Sequence, residues 1–111
     1  MGTPFYIAPE RVSEQRQDWR SDMYSLAATL YHAATGQVPY DEPTVEETVW
    51  AHVKNKLVQP RKIISDISKD TSNAIVKAME KKPDDRFQSY DDFRMALEAS
   101  RSRLLVKRLR R

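Results

Sequence analysis

Cysteine is absent from the 111 residues, which excludes disulfides and thiolate-ligated metal sites and fits a reducing compartment. Glycine is nearly as scarce. Only Gly2 and Gly36 occur, so the chain holds no glycine-rich loop of the kind that wraps phosphates. No apolar run approaches the roughly 20 residues needed to cross a bilayer. The opening MGTPFYIAPE has neither the basic start nor the apolar centre of a secretory signal. Internal repeats and low-complexity segments are also missing, as is any alternating run bounded by turn residues that would mark a strand.

What is present has the composition of one small globular domain, 40% hydrophobic and 32% charged, near the lower size limit for a stable core. The net charge of +3 is unevenly placed. Arg101, Arg103, Lys107, Arg108, Arg110 and Arg111 put six positive and no negative charges on the last eleven residues. The remaining 13 basic and 16 acidic residues leave the body at −3. The pI of 9.3 thus belongs to the tail, and no nucleic-acid partner is expected of the folded part.

The periodicity describes an all-α chain of about four main helices around a central buried one. Gly2 to Pro9 reads as an extended loop, with Pro9 in the first turn of a short helix, where its missing N–H would be unsatisfied anyway. Met23, Leu26, Ala27, Leu30, Tyr31, Ala33 and Ala34 follow the i, i+3, i+4 spacing of the most apolar helix. Ser21 or Asp22 can cap its start and Gly36 can end it in a left-handed turn. After a loop over Val38 to Pro43, Thr44 and Glu47 form a capping box for a helix facing inward through Val45, Val49, Trp50 and Val53. Leu57 to Ile67, with Pro60, reads as a connection. Ser68 or Asp70 then starts a helix with Ile75, Val76 and Met79 on one face, stopped at Pro83. Ser89 begins the last, with Phe93, Ala96 and Leu97 inward and a continuation through Leu104, Leu105 and Leu109.

Four segments carry a family resemblance. GTPFYIAPE at residues 2–10 resembles the end of the activation segment of Ser/Thr protein kinases, Gly-Thr-x-x-Tyr-x-Ala-Pro-Glu. Asp18 to Leu26, DWRSDMYSL, resembles the start of that family's central helix, and Thr35 to Tyr40, TGQVPY, its end. Lys81 to Phe87, KKPDDRF, resembles the Pro-x-x-Arg-[Phe/Tyr] between its last two helices. Their order and spacing identify the chain as similar to the C-terminal part of the large lobe of a eukaryotic-type (Hanks-type, bacterial) kinase, from the activation segment onward. The resemblance covers residues 2 to about 97, which implies a partial kinase domain over 1–99 and leaves 100–111 as a basic tail or linker.

The resemblance implies roles by position. Thr3 matches the threonine that hydrogen-bonds the catalytic aspartate. Phe5, Tyr6 and Ile7 match the loop that shapes the pocket for the substrate residue after the phosphoacceptor. Glu10 and Arg86 match a buried ion pair, for which the planar fork of Arg is suited. Asp22 matches an aspartate that accepts backbone N–H groups from the catalytic loop. Ala27 stands where the family usually has glycine, and Thr29 and Ala33 are small for positions that anchor its hydrophobic spines.

Phosphoryl transfer in this family needs a glycine-rich loop, a strand lysine, a catalytic-loop Asp and Asn, and the Asp of Asp-Phe-Gly. None of these strings occurs here. The expectation is a chain with no catalytic residue, metal site or cofactor of its own, ATP and Mg²⁺ being implied only for the intact domain, and with no kinase activity in isolation. Its partners would be a peptide substrate or the missing kinase portion, with self-association through uncovered apolar surface. The competing class is a non-catalytic, kinase-like interaction module. A cytoplasmic location is implied, the tail being first a solvated linker, next a membrane-proximal segment of a membrane-anchored kinase, and last a nucleic-acid contact.

Other candidates have plainer explanations. Asp84-Asp85 and Asp91-Asp92 suit helix starts, since adjacent residues on a helix do not face one another. His32 and His52 have no partner ligand at metal spacing and read as surface or partly packed residues. Trp50 reads first as an anchor of its helix and second as part of a docking surface, which the resemblance implies for that helix, and Ser13, Ser25 and Thr35 have no base nearby in sequence.

Overall fold

The computed structural model describes the backbone of residues 4–109 and the side chains of residues 4–99. Six α-helices lie among these residues: α1 (Pro9–Val12), α2 (Trp19–Thr35), α3 (Val45–Lys54), α4 (Pro60–Ile63), α5 (Lys69–Ala78) and α6 (Tyr90–Leu109), with a 3₁₀ turn over Pro83–Asp85 before the last. No strand occurs among the described residues. The four long helices are those marked by the sequence periodicity. The connection at Pro60 adds a single helical turn, for which a proline at the first position supplies a preset φ.

Helix α2 is central. Met23, Tyr24, Ala27, Ala28 and Tyr31 are buried along it and meet Ala74, Ile75, Ala78 and Met79 from the α5 end of the fold, with Phe93 from α6 and Ala8 from the entry loop. Ala27 is fully buried, so the methyl that replaces the usual glycine is accommodated inside the core. Phe93 stacks on Phe87 with ring centroids 5.3 Å apart, joining α6 to the loop before it.

The opposite stripe of α2 is open. Leu26, Thr29 and Ala33, which the periodicity placed inward or on spine positions, are exposed. Their spacing makes them neighbours on one helix face, and no described element covers that face.

The caps follow from side-chain chemistry. Asp18, rather than Ser21 or Asp22, caps α2: its carboxylate accepts the Arg20 N–H at 2.8 Å. Ser21 and Asp22 are already helical and cannot serve. Thr44 accepts the Glu47 N–H at 3.0 Å, Ser68 that of Thr71 at 3.0 Å, and Ser89 that of Asp92 at 3.0 Å. Gly36 ends α2 at φ 77°, a left-handed conformation that costs a residue with a Cβ about 1–2 kcal/mol.

Helix α3 departs from its expected face. Thr48, Ala51 and His52 are buried, whereas Val45 is largely exposed and Trp50 is 38% exposed with the Lys54 ammonium 5.7 Å from its ring. The apolar residues alone gave a face rotated toward solvent, because the helix buries polar groups that have partners inside.

Candidate functional site

The entry loop lies along α2. Ser25 Oγ donates to the Tyr6 carbonyl at 2.7 Å, fixing the loop backbone. The Tyr6 hydroxyl bonds His32 Nδ1 at 2.8 Å with the rings stacked. Phe5 and Ile7 are half-buried beside them, and Thr3 lies outside the described residues. Ala8, Pro9 and Glu10 then pass into the interior.

At the end of this loop is a fully partnered buried ion pair. Arg86 Nη1 reaches Glu10 Oε2 at 2.7 Å, and Nη2 reaches Oε1 at 2.8 Å. The Arg86 side chain is 0% and that of Glu10 2% exposed. Arg86 also donates to the carbonyls of Glu80, Arg20 and Lys81 at 2.8, 2.9 and 3.3 Å. All five guanidinium N–H groups thereby have acceptors. Ser21 Oγ donates a further bond to Glu10 Oε2 at 2.6 Å, and the guanidinium carbon lies 5.0 Å from the Tyr24 ring centre. Burial alone would raise the Glu10 carboxyl; the bonds from Arg86 and Ser21 reverse that and hold it below the usual value. A buried charge pair is tolerable only when its remaining lone pairs and protons are satisfied in this way.

Asp22 is not brought to this pair. It is exposed on the first turn of α2 and accepts from Arg11 Nη2 at 2.7 Å. The sequence reading also missed an outer bracket: Arg20 binds Asp18 at 2.9 Å and Asp84 at 2.8 Å, tying the start of α2 to the 3₁₀ turn that carries Arg86. Asp84 is therefore a structural partner as well as a helix-start charge.

A second buried polar group went unread. His52 is completely buried, a correction to its reading as a surface or partly packed residue. Its Nδ1 lies 2.6 Å from the Tyr24 hydroxyl, and Tyr40 meets its ring edge-on at 4.9 Å. Lys81 donates at 2.8 Å both to the Tyr40 hydroxyl and to the His52 carbonyl. Burial first, then the charge of Lys81, pushes the imidazole down to about 4. Burial likewise lowers Lys81 to about 8. The available signal was position: His52 falls one turn after Thr48 on α3, beside Ala51.

Among the described residues no group of three His, Asp or Glu side chains is placed to hold a metal ion.

The model of the protein kinase domain matches residues 1–99. The chain belongs to the protein kinase family. A probable serine/threonine-protein kinase of Clostridium acetobutylicum is 34% identical over 92 residues, 83% of this chain and 14% of that protein. The serine/threonine-protein kinase PknH of Mycobacterium tuberculosis is 35% identical over 96 residues, 86% of this chain and 15% of its own length. Pkn1 of Myxococcus xanthus, also a serine/threonine-protein kinase, is 32% identical over 100 residues, 90% of this chain and 14% of its length. The chain thus spans about one seventh of the curated relatives it matches. Within the kinase domain it is the C-terminal part of the large lobe from the activation segment onward, and of bacterial Hanks type.

Proposed function

We propose that this chain forms the helical base and the peptide-substrate side of a Ser/Thr kinase catalytic lobe, and that alone it transfers no phosphoryl group. The Glu10–Arg86 pair carries the first half: it clamps the end of the activation segment to the turn before α6 at 2.7 Å. Phe5, Tyr6 and Ile7, held along α2 by Ser25 and His32, would then shape the pocket for the substrate residue after the phosphoacceptor. Thr3 and Asp22 would face the catalytic loop, Asp22 from its exposed position on α2.

The second half rests on the sequence. The glycine-rich loop, strand lysine, catalytic-loop Asp and Asn and the metal-binding Asp of Asp-Phe-Gly do not occur in these 111 residues. ATP- and Mg²⁺-dependent phosphorylation of Ser or Thr would belong to the intact domain, in the cytoplasm. Incubating the pure chain with ATP, Mg²⁺ and a general protein substrate should yield no phosphoprotein. Phosphorylation that scales with chain concentration would overturn this half of the reading.

The open stripe of Leu26, Thr29 and Ala33 favours the rest of the catalytic domain as the natural cover of α2, with a second copy taking its place in the isolated chain. The same stripe supports the alternative of a non-catalytic module that binds a protein partner. Adding a purified upstream kinase portion separates the two: recovered activity selects the first, binding without activity the second.

A further inference from the structure

A cleft of about 550 Å³ lies between the Lys56–Gln59 loop, α4 and the end of α5. Its apolar lining comes from Leu57, Val76 and Met79, with Val58 half-exposed at its mouth. Its charge comes from Lys56, Lys62 and Lys81 against the single acid Glu80. Lys81 already donates to Tyr40 and His52, so exposed Lys56 and Lys62 are the cations best placed to meet a partner. One wall is held in place: the Tyr31 hydroxyl, rooted in the central helix, donates to the Val58 carbonyl at 2.8 Å.

The charge of this cleft runs against the body around it. Residues 1–100 carry a net −3, 13 basic against 16 acidic, yet the cleft lining stays net positive even without the engaged Lys81, Lys56 and Lys62 standing against Glu80. A local reversal of sign over an apolar floor selects a partner that is anionic outside and apolar at its point of entry. We propose that this cleft docks an acidic segment of a partner protein through one inserted apolar side chain, with Lys56 and Lys62 meeting the flanking carboxylates. The apolar residue would contact Leu57, Val76 and Met79, and the lysines would set the orientation and the association rate. This surface needs no phosphoryl transfer and stands apart from the kinase reading.

The test uses the full 111-residue chain and a fluorescent probe peptide with one leucine flanked on each side by three acidic residues. Anisotropy should show saturable binding that weakens as salt rises. Amide shifts in ¹H–¹⁵N spectra should cluster at Lys56–Lys62 and Val76–Lys81. K56E/K62E, both at exposed positions, should weaken binding at least tenfold while the circular dichroism spectrum is retained. Replacing the leucine by serine should also weaken it at least tenfold. Four results would overturn the proposal: equal binding of the serine peptide; loss of binding on changing Arg108, Arg110 and Arg111 to Gln with K56E/K62E unaffected; saturation of the cleft by dodecanoate but not by the peptide; or self-association of the chain that K56E/K62E abolishes.

Discussion

Tyr24 Oη and His52 Nδ1 lie 2.6 Å apart inside the core, where neither side chain exposes any surface to water. The imidazole is held neutral there, because a proton on it would be desolvated and would stand beside the Lys81 ammonium. Unfolded, it titrates near its ordinary value of 6.5. Between pH 6.5 and about 4 the unfolded chain therefore binds a proton that the folded chain refuses. Stability present above pH 6.5 should fall through this window, by about 3 kcal/mol. Urea titrations at several pH values should show the slope, and His52→Gln should flatten it. An unchanged slope in the variant would assign the effect to other groups.

The Glu10–Arg86 pair should dominate a lower window. Glu10 has a folded value below its ordinary 4.5, so its contribution is complete above that pH and is lost as acid protonates the folded carboxylate. Arg86→Ala should cost about 3–5 kcal/mol, since it leaves a buried carboxylate uncompensated. Arg86→Lys should recover only part of this, because an ammonium cannot supply two parallel bonds. Denaturant midpoints at pH 7 measure both, and equal stability of Arg86→Lys and the native chain would contradict the geometry.

Two aspartates four residues apart should behave differently. Asp18→Ala removes the cap of α2 and one arm of the Arg20 bracket, and should cost about 1–2 kcal/mol. Asp22→Ala removes an exposed pair with Arg11 and should cost at most about 1 kcal/mol. Thermal unfolding ranks the two, and the reverse order would show that the cap has been misplaced.

Leu26 is 45% exposed on the open face of α2. Leu26→Gln should leave the unfolding midpoint within about 0.5 kcal/mol of the native chain. It should also shift the sedimentation profile at high concentration toward monomer. Unchanged association would place the contact surface elsewhere.

The sequence disclosed the parts of this fold set by local chemistry. Prolines, the left-handed Gly36, and the caps Thr44, Ser68 and Ser89 each act within a few residues of their own position. The pair Glu10–Arg86, 76 residues apart, was legible only through resemblance, since nothing in composition or spacing links the two. His52 and the inward face of α3 stayed hidden because hydrophobic periodicity assigns no value to a polar side chain whose partner, Tyr24, comes from another helix. Leu26 and Ala33 stand exposed in this chain for the converse reason: periodicity finds an apolar face without saying which molecule covers it.

The five bonds of Arg86 also impose an order on assembly. Its acceptors lie on Glu10, Arg20, Glu80 and Lys81, so during synthesis the carboxylate of Glu10 must wait in water until residue 86 has emerged. On the ribosome the end of the activation segment can thus be sealed only after α2 and α5 have been made. Interactions made after the folding barrier govern how fast a protein comes apart rather than how fast it folds. If the clamp also closes after the barrier in the complete chain, weakening it should accelerate unfolding while leaving the refolding rate nearly unchanged, a separation that stopped-flow kinetics on Arg86→Lys can measure. The charge pair that holds the loop in place would then also act as the catch that keeps the finished lobe from reopening.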